Sequence, residues 1–190
     1  MKKVVLVSGS SRKGNTHNIT KIYADNFSNS GCSVNIIDLS CETIAFCDGC
    51  LSCDETQECK NDSTMKNHIA SIMESDLVVF GTPARWALLS GELKTFIDRL
   101  NPYASCEGYA GKRVFVFASG QSEEGSSESI DSAIHSVLSF TNDAGMILSG
   151  TRKFCELLEE EDYNNHLESI LNLCCEDVKI CLKDLRNEEI

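Results

Sequence analysis

The stretch Val4-Val5-Leu6-Val7-Ser8-Gly9-Ser10-Ser11-Arg12-Lys13-Gly14-Asn15-Thr16 decides the fold. An unbroken apolar run rich in valine reads as a short strand buried on both faces. The run stops at Val7. Ile19, Ile22, Tyr23 and Phe27 then share one helical face, which starts a helix near Asn15 or Thr16. Between strand and helix lie small and hydroxylated residues, one arginine and two glycines. A phosphate needs backbone N–H donors, hydroxyls and the positive end of a helix dipole, and this loop supplies all three. Gly9 and Gly14 allow close backbone approach, Ser10 and Thr16 offer hydroxyls, and Arg12 adds a charge. The pattern is neither G-x-G-x-x-G nor G-x-x-x-x-G-K-[ST], so a monophosphate is favoured over a dinucleotide or a triphosphate. A plain polar turn, with Asn15 or Thr16 capping the helix, is the competing reading.

Working outward, Val34–Leu39, Leu77–Phe80, Val114–Ala118 and Met146–Leu148 read as four further strands. Amphipathic segments separate them. Met65, Ile69 and Ile72 make one apolar stripe, Leu89, Leu93, Phe96, Ile97 and Leu100 a second, and Ile130, Ile134, Val137 and Leu138 a third. Strand–helix alternation predicts an α/β fold, a doubly wound parallel sheet with helices on both faces. Five strands suit the order 2-1-3-4-5, with ligands at the carboxyl ends of the strands. Only two prolines occur and no linker-like tract interrupts the chain, so residues 1–190 are expected to form one domain. A helical extension over about 156–187 carries Leu167, Leu171, Cys174, Val178, Cys181 and Leu185 on one stripe.

The formal charge of −12 disfavours general binding to nucleic acid. The acidic runs at Glu156 to Asp162 and Glu188-Glu189 read as a solvated helix face and a tail. The apolar run near the N-terminus is too short for a signal peptide, and no segment is long enough to span a bilayer. A cytoplasmic protein without membrane partners is expected. Eleven cysteines then point to metal, redox work or core packing rather than to disulfides.

Gly9-Ser10-Ser11-Arg12-Lys13-Gly14-Asn15-Thr16 resembles the G-S-x-R-x-G-N-T phosphate loop of the NADPH-dependent FMN reductase and flavodoxin-like superfamily. Gly81-Thr82-Pro83-Ala84-Arg85-Trp86 and Ser90 to Leu100 resemble that family's second block, T-P-x-Y followed by S-x-x-L-K-x-F-I-D-R. The resemblance covers about residues 2 to 150. It implies a flavodoxin-like fold, FMN as cofactor and NAD(P)H as co-substrate. By this analogy Pro83, Ala84, Arg85 and Trp86 border the flavin ring. The amides of Ala84 to Trp86 are then candidates for its polar edge, and Trp86 is a stacking plate. Arg85 replaces the family's usual tyrosine. Ser119 and Gly120 fall where the family has its third flavin loop. Hydride transfer to a flavin needs no protein acid or base, and His17, His68, His135 and His166 pair with no nucleophile, so no catalytic side chain is assigned.

Cys47, Cys50, Cys53 and Cys59 form a C-x₂-C-x₂-C-x₅-C motif. Zinc sites generally use two C-x-x-C pairs a dozen or more residues apart, whereas successive spacings of three match ferredoxin-type loops. The motif resembles that of the iron–sulfur flavoproteins, which implies a [4Fe–4S] cluster beside FMN, with zinc or a metal-free thiol loop as alternatives. Cys174 and Cys181 lie on an apolar stripe and are expected in the core, while Cys32, Cys41, Cys106, Cys155 and Cys175 show no pattern. Asp62-Ser63-Thr64-Met65 reads as a helix cap. The resulting expectation is an FMN-dependent oxidoreductase moving electrons from NAD(P)H or a ferredoxin-like donor. A non-enzymatic flavodoxin-like carrier, a flavin-only quinone or FMN reductase, and a zinc-bearing binding module are the alternatives. Relatives of this kind imply a homodimer or homotetramer.

Overall fold

Strand β1 (Lys3–Ser8) pairs in parallel with both β2 (Ser33–Asp38) and β3 (Leu77–Pro83). β4 (Arg113–Ser119) and β5 (Ile147–Phe154) extend the sheet to five strands in the order 2-1-3-4-5. This is the flavodoxin-like arrangement expected. The computed structural model describes residues 1–59, 64–104 and 108–186. The cap at Asp62 and Ser63, Cys106 and the acidic tail at Glu188-Glu189 lie outside them.

The strands alternate between two buried faces, as the period of two demands. Val5, Val7, Val78, Phe80, Val114 and Val116 join one core with α3 (Thr64–Glu74), α4 (Gly91–Asp98) and α6 (Glu128–Asp143). Val4, Leu6, Leu77, Val79, Phe115 and Phe117 join the other with α1 (Asn15–Asn29) and α8 (Leu167–Leu185). Two short helices, α2 (Ser52–Thr56) and α5 (Asn101–Ala104), follow β2 and α4, and α7 (Glu160–Asn165) follows β5.

The first four predicted strands match to within a few residues at each end. The fifth does not: it is expected over Met146–Leu148 and runs over Ile147–Phe154. Its continuation, Ser149-Gly150-Thr151-Arg152-Lys153, is polar because β5 is an edge strand. Its charged side chains find partners on the helices that cover the sheet. Arg152 Nε donates to Asp177 Oδ2 at 2.9 Å, and the Tyr23 hydroxyl donates to the same oxygen at 2.6 Å. Asp177 is buried on α8, so this cluster ties β5, α1 and α8 together. Burial pushes the Tyr23 hydroxyl well above its usual range. Cys174 and Cys181 are buried as expected, and burial pushes both thiols up to about 12. On the same helix Ile170 takes the core position expected of Leu171, which is exposed.

Candidate functional site

Four loops converge at the carboxyl edge of the sheet around a cleft of about 320 Å³. Parallel strands put these loops on one side by topology. The β1–α1 loop brings Ser10, Arg12, Gly14, Asn15 and Thr16. The loop after β3 brings Pro83, Ala84, Arg85 and Trp86, and the loop after β4 brings Ser119 and Gly120. All of these candidate residues therefore line one cleft. Gln121, Ser122, Ser129, Leu157 and Leu158 complete it. Leu157 and Leu158 sit inside the run Glu156 to Asp162, which the charge pattern assigns to a solvated face. The true end of β5 at Phe154 brings them to the carboxyl edge, and a longer fifth strand would have revealed them.

The β1–α1 loop is held from below. The Gly9 N–H donates to Gly81 O at 2.8 Å, and a Cβ on Gly9 would lie 2.6 Å from that oxygen and 2.9 Å from Leu93 Cβ. Only glycine fits there. Ser90 caps α4 by accepting from Leu93 N at 3.1 Å, and its hydroxyl donates to Gly9 O. The family-like serine of the second block thus fastens the first block in place.

The start of α1 carries no side-chain cap: Gly14 is the N-cap, so Asn15 and Thr16 do not play the capping role open to them. Asn15 Nδ2 instead donates to Glu159 O at 3.2 Å. Thr16 Oγ1 and Ser119 Oγ share a buried 2.7 Å hydrogen bond between the first and third loops. The Ser10 hydroxyl donates to Arg12 O at 2.7 Å. These hydroxyls shape the loop. The uncapped helix start and Arg12 are what it offers an anion. Among the described residues no aspartate or glutamate lines the cleft, although the chain carries 29 acidic residues.

The second loop is a tight turn. Arg85 N–H donates to Leu88 O at 2.9 Å and Leu88 N–H returns to Arg85 O at 3.0 Å. Trp86 and Ala87 both have positive φ, 49° and 63°. Ala84 N–H donates to Ser119 O at 2.8 Å. Two of the three amides expected to meet a flavin edge are therefore engaged within the fold, which leaves that of Trp86. The Trp86 side chain is fully exposed, with a relative accessibility of 100%. The last wall is fastened by Asp162, whose carboxylate accepts from Leu158 N at 3.0 Å and Glu159 N at 2.8 Å. Those two amides hold its carboxyl below the usual range. Small donors, a cationic corner and apolar walls fit a flavin mononucleotide.

The cysteine motif lies elsewhere. Cys47 and Cys50 are exposed in the irregular segment after β2, and none of the four motif cysteines lines the cleft. Cys53 Sγ accepts from Asn101 Nδ2 at 3.4 Å, and Cys59 Sγ accepts from the Arg99 guanidinium at 3.1 Å. Among the described residues no three His, Cys, Asp or Glu side chains converge as metal ligands. As they stand, the four thiols do not fit a cubane cluster.

The family model for NADPH-dependent FMN reductase matches residues 2–153. The chain belongs to that family. It is 32% identical over 127 residues to an iron-sulfur flavoprotein of Archaeoglobus fulgidus, covering 64% of this chain and 58% of that protein. It is 30% identical over 82 residues to an NAD(P)H dehydrogenase (quinone) of Trichlorobacter lovleyi, covering 43% of this chain and 39% of that one. The chain thus spans little more than half the length of the first and less than half of the second. A flavodoxin, WrbA-like protein from Agrobacterium tumefaciens superposes with a TM-score of 0.59 at 15% identity, covering 100% of both chains. That likeness bears on the fold alone. Among the described residues, no helix is long and apolar enough to cross a membrane.

Proposed function

We propose that the cleft binds FMN and that the chain is an FMN-dependent reductase that takes electrons from NAD(P)H and delivers them to a small acceptor. The observation that carries this reading is an anion-ready corner, the uncapped start of α1 beside Arg12, in a cleft that no acidic side chain lines among the described residues. When bound, FMN supplies a ring that accepts a hydride and gives up one or two electrons. The protein's part is placement. The first-turn amides of α1 and the Arg12 guanidinium hold the phosphate. Trp86 N–H donates to the ring edge, Pro83 and Ala84 form a floor, and Leu157 and Leu158 shield one side from water. Ser119 and Gly120 flank the ring through the backbone and the Thr16 contact.

The [4Fe–4S] cluster belongs to the same reading as a second tenant, on the four-cysteine spacing and the printed name of the Archaeoglobus fulgidus relative. Among the described residues the thiols are not gathered. Cluster loading would require the segment from Cys47 to Cys59 to close. A ferredoxin-like donor and a homodimeric or tetrameric state accompany that version. The strongly acidic surface favours a second reading, a flavodoxin-like carrier that docks on basic partners.

Anaerobic purification with an absorption spectrum, iron and sulfide analysis, and NADH or NADPH addition separates these readings. Fast bleaching of bound flavin by a nicotinamide is the expected result. Bleaching only by ferredoxin would favour transfer through the cluster, and a protein unable to bind FMN would overturn the reading.

A further inference from the structure

We propose that Arg85 and Trp86 form a docking lip for the oxidant and select planar aromatic acceptors that carry a negative charge. The inference rests on the flavin reading of the cleft and extends it to the second reactant.

Charge comes first. A chain with net charge −12 presents a cleft that, among the described residues, is lined by two arginines and no carboxylate. Among the described residues neither Arg12 nor Arg85 has an ion-pair partner. They stand on different loops. The cofactor brings one phosphate group, which Arg12 and the start of α1 suit, so the Arg85 charge is left for another anion. Space points the same way. A cleft of about 320 Å³ lies at the small end of ligand sites. One cofactor fills it, and a second reactant must approach at the open lip.

The lip is built at a cost. Trp86 and Ala87 adopt left-handed backbone conformations in a two-residue turn, where glycine or asparagine is usual. Each such non-glycine residue is strained there by its Cβ. The turn leaves the chain's one tryptophan bare to solvent. A strained turn that displays an aromatic plate beside an unpaired guanidinium matches a flat ring with an anionic substituent. For a quinone acceptor the exchange balances as NAD(P)H + H⁺ + quinone giving NAD(P)⁺ + hydroquinone.

The test uses oxidised, FMN-loaded protein without a reductant, so that binding is read apart from turnover. Naphthoquinone sulfonate and unsubstituted naphthoquinone are titrated while Trp86 emission is followed. The expected result is that Arg85→Gln weakens the sulfonate about fivefold to tenfold, the weight of one exposed charge-assisted contact. The neutral quinone should bind as before, and Arg85→Lys should recover most of the loss. Raising salt should weaken only the sulfonate. An unchanged sulfonate affinity in Arg85→Gln, or equal loss of both quinones, would overturn the proposal. So would a loss confined to NADP⁺ titrated in the same way, which would assign the charge to the nicotinamide dinucleotide. If the unmodified protein fails to load FMN, the flavin reading itself falls.

Discussion

Two segments leave the same edge of the sheet and are built in opposite ways. The cleft loops are cross-linked: Gly9 to Gly81, Ser90 to Gly9, Thr16 to Ser119, Ala84 to Ser119, Asn15 to Glu159. The segment from Ser40 to Leu51 has no helix or strand, and Cys47 and Cys50 are exposed. A site whose donors are fixed before the ligand arrives loses little freedom on binding. A loop with exposed thiols must be ordered by whatever it binds. The contrast makes the cleft a preformed site and the cysteine segment one that a ligand would have to assemble.

The comparison breaks most sharply at Gly9. Gly9→Ala drives a methyl group into the Gly81 carbonyl and Leu93, and should cost about 2 kcal/mol of stability by overpacking. FMN affinity should fall with it, and denaturant unfolding together with flavin titration checks both. Asp177→Ala, away from the cleft, removes the partner of Tyr23 and Arg152 and should cost roughly 2–3 kcal/mol. FMN affinity should then be nearly unchanged in the folded fraction.

Arg12→Ala is expected to weaken FMN about tenfold with little change in melting temperature. Acid should act through Asp162. Its carboxyl is held low in the folded chain, so the contribution is present above the ordinary carboxylate range and is lost as pH falls through the depressed value. Flavin release should therefore steepen below about pH 4, and Asp162→Asn should remove that step. The smallest effects belong to the cysteine segment. Cys47→Ser and Cys50→Ser should shift the stability of metal-free protein by less than about 0.5 kcal/mol and leave FMN binding intact. Alkylation near neutral pH should label those two thiols while Cys174 and Cys181, pushed up to about 12, stay unmodified until unfolding.

Much of this was legible in the residues, for physical reasons. β1, β3 and β4 are buried on both faces, and that burial writes an unbroken apolar run into each. β5 lies at an edge, where Arg152 and Lys153 can reach carboxylates, so its second half looks like a loop. Misplacing its end hid Leu157 and Leu158 from the candidate site. The glycine, serine and arginine pattern of the first loop was visible because close backbone approach restricts residue type. Whether the Ala84 and Arg85 amides were free was not visible, since their partners Ser119 and Leu88 come from the folded loop geometry. The cysteine spacing names a ligand set, but spacing says nothing of whether thiols converge without the ligand.

The cleft, on the flavin reading, is a ready site independent of the cysteines. Titration of apo-protein with FMN, followed by quenching of flavin fluorescence in the wild type and in Cys47→Ser, tests it most directly. One equivalent bound with the same affinity in both is the predicted result; no saturable binding in the wild type, or binding lost with the cysteine, would contradict it.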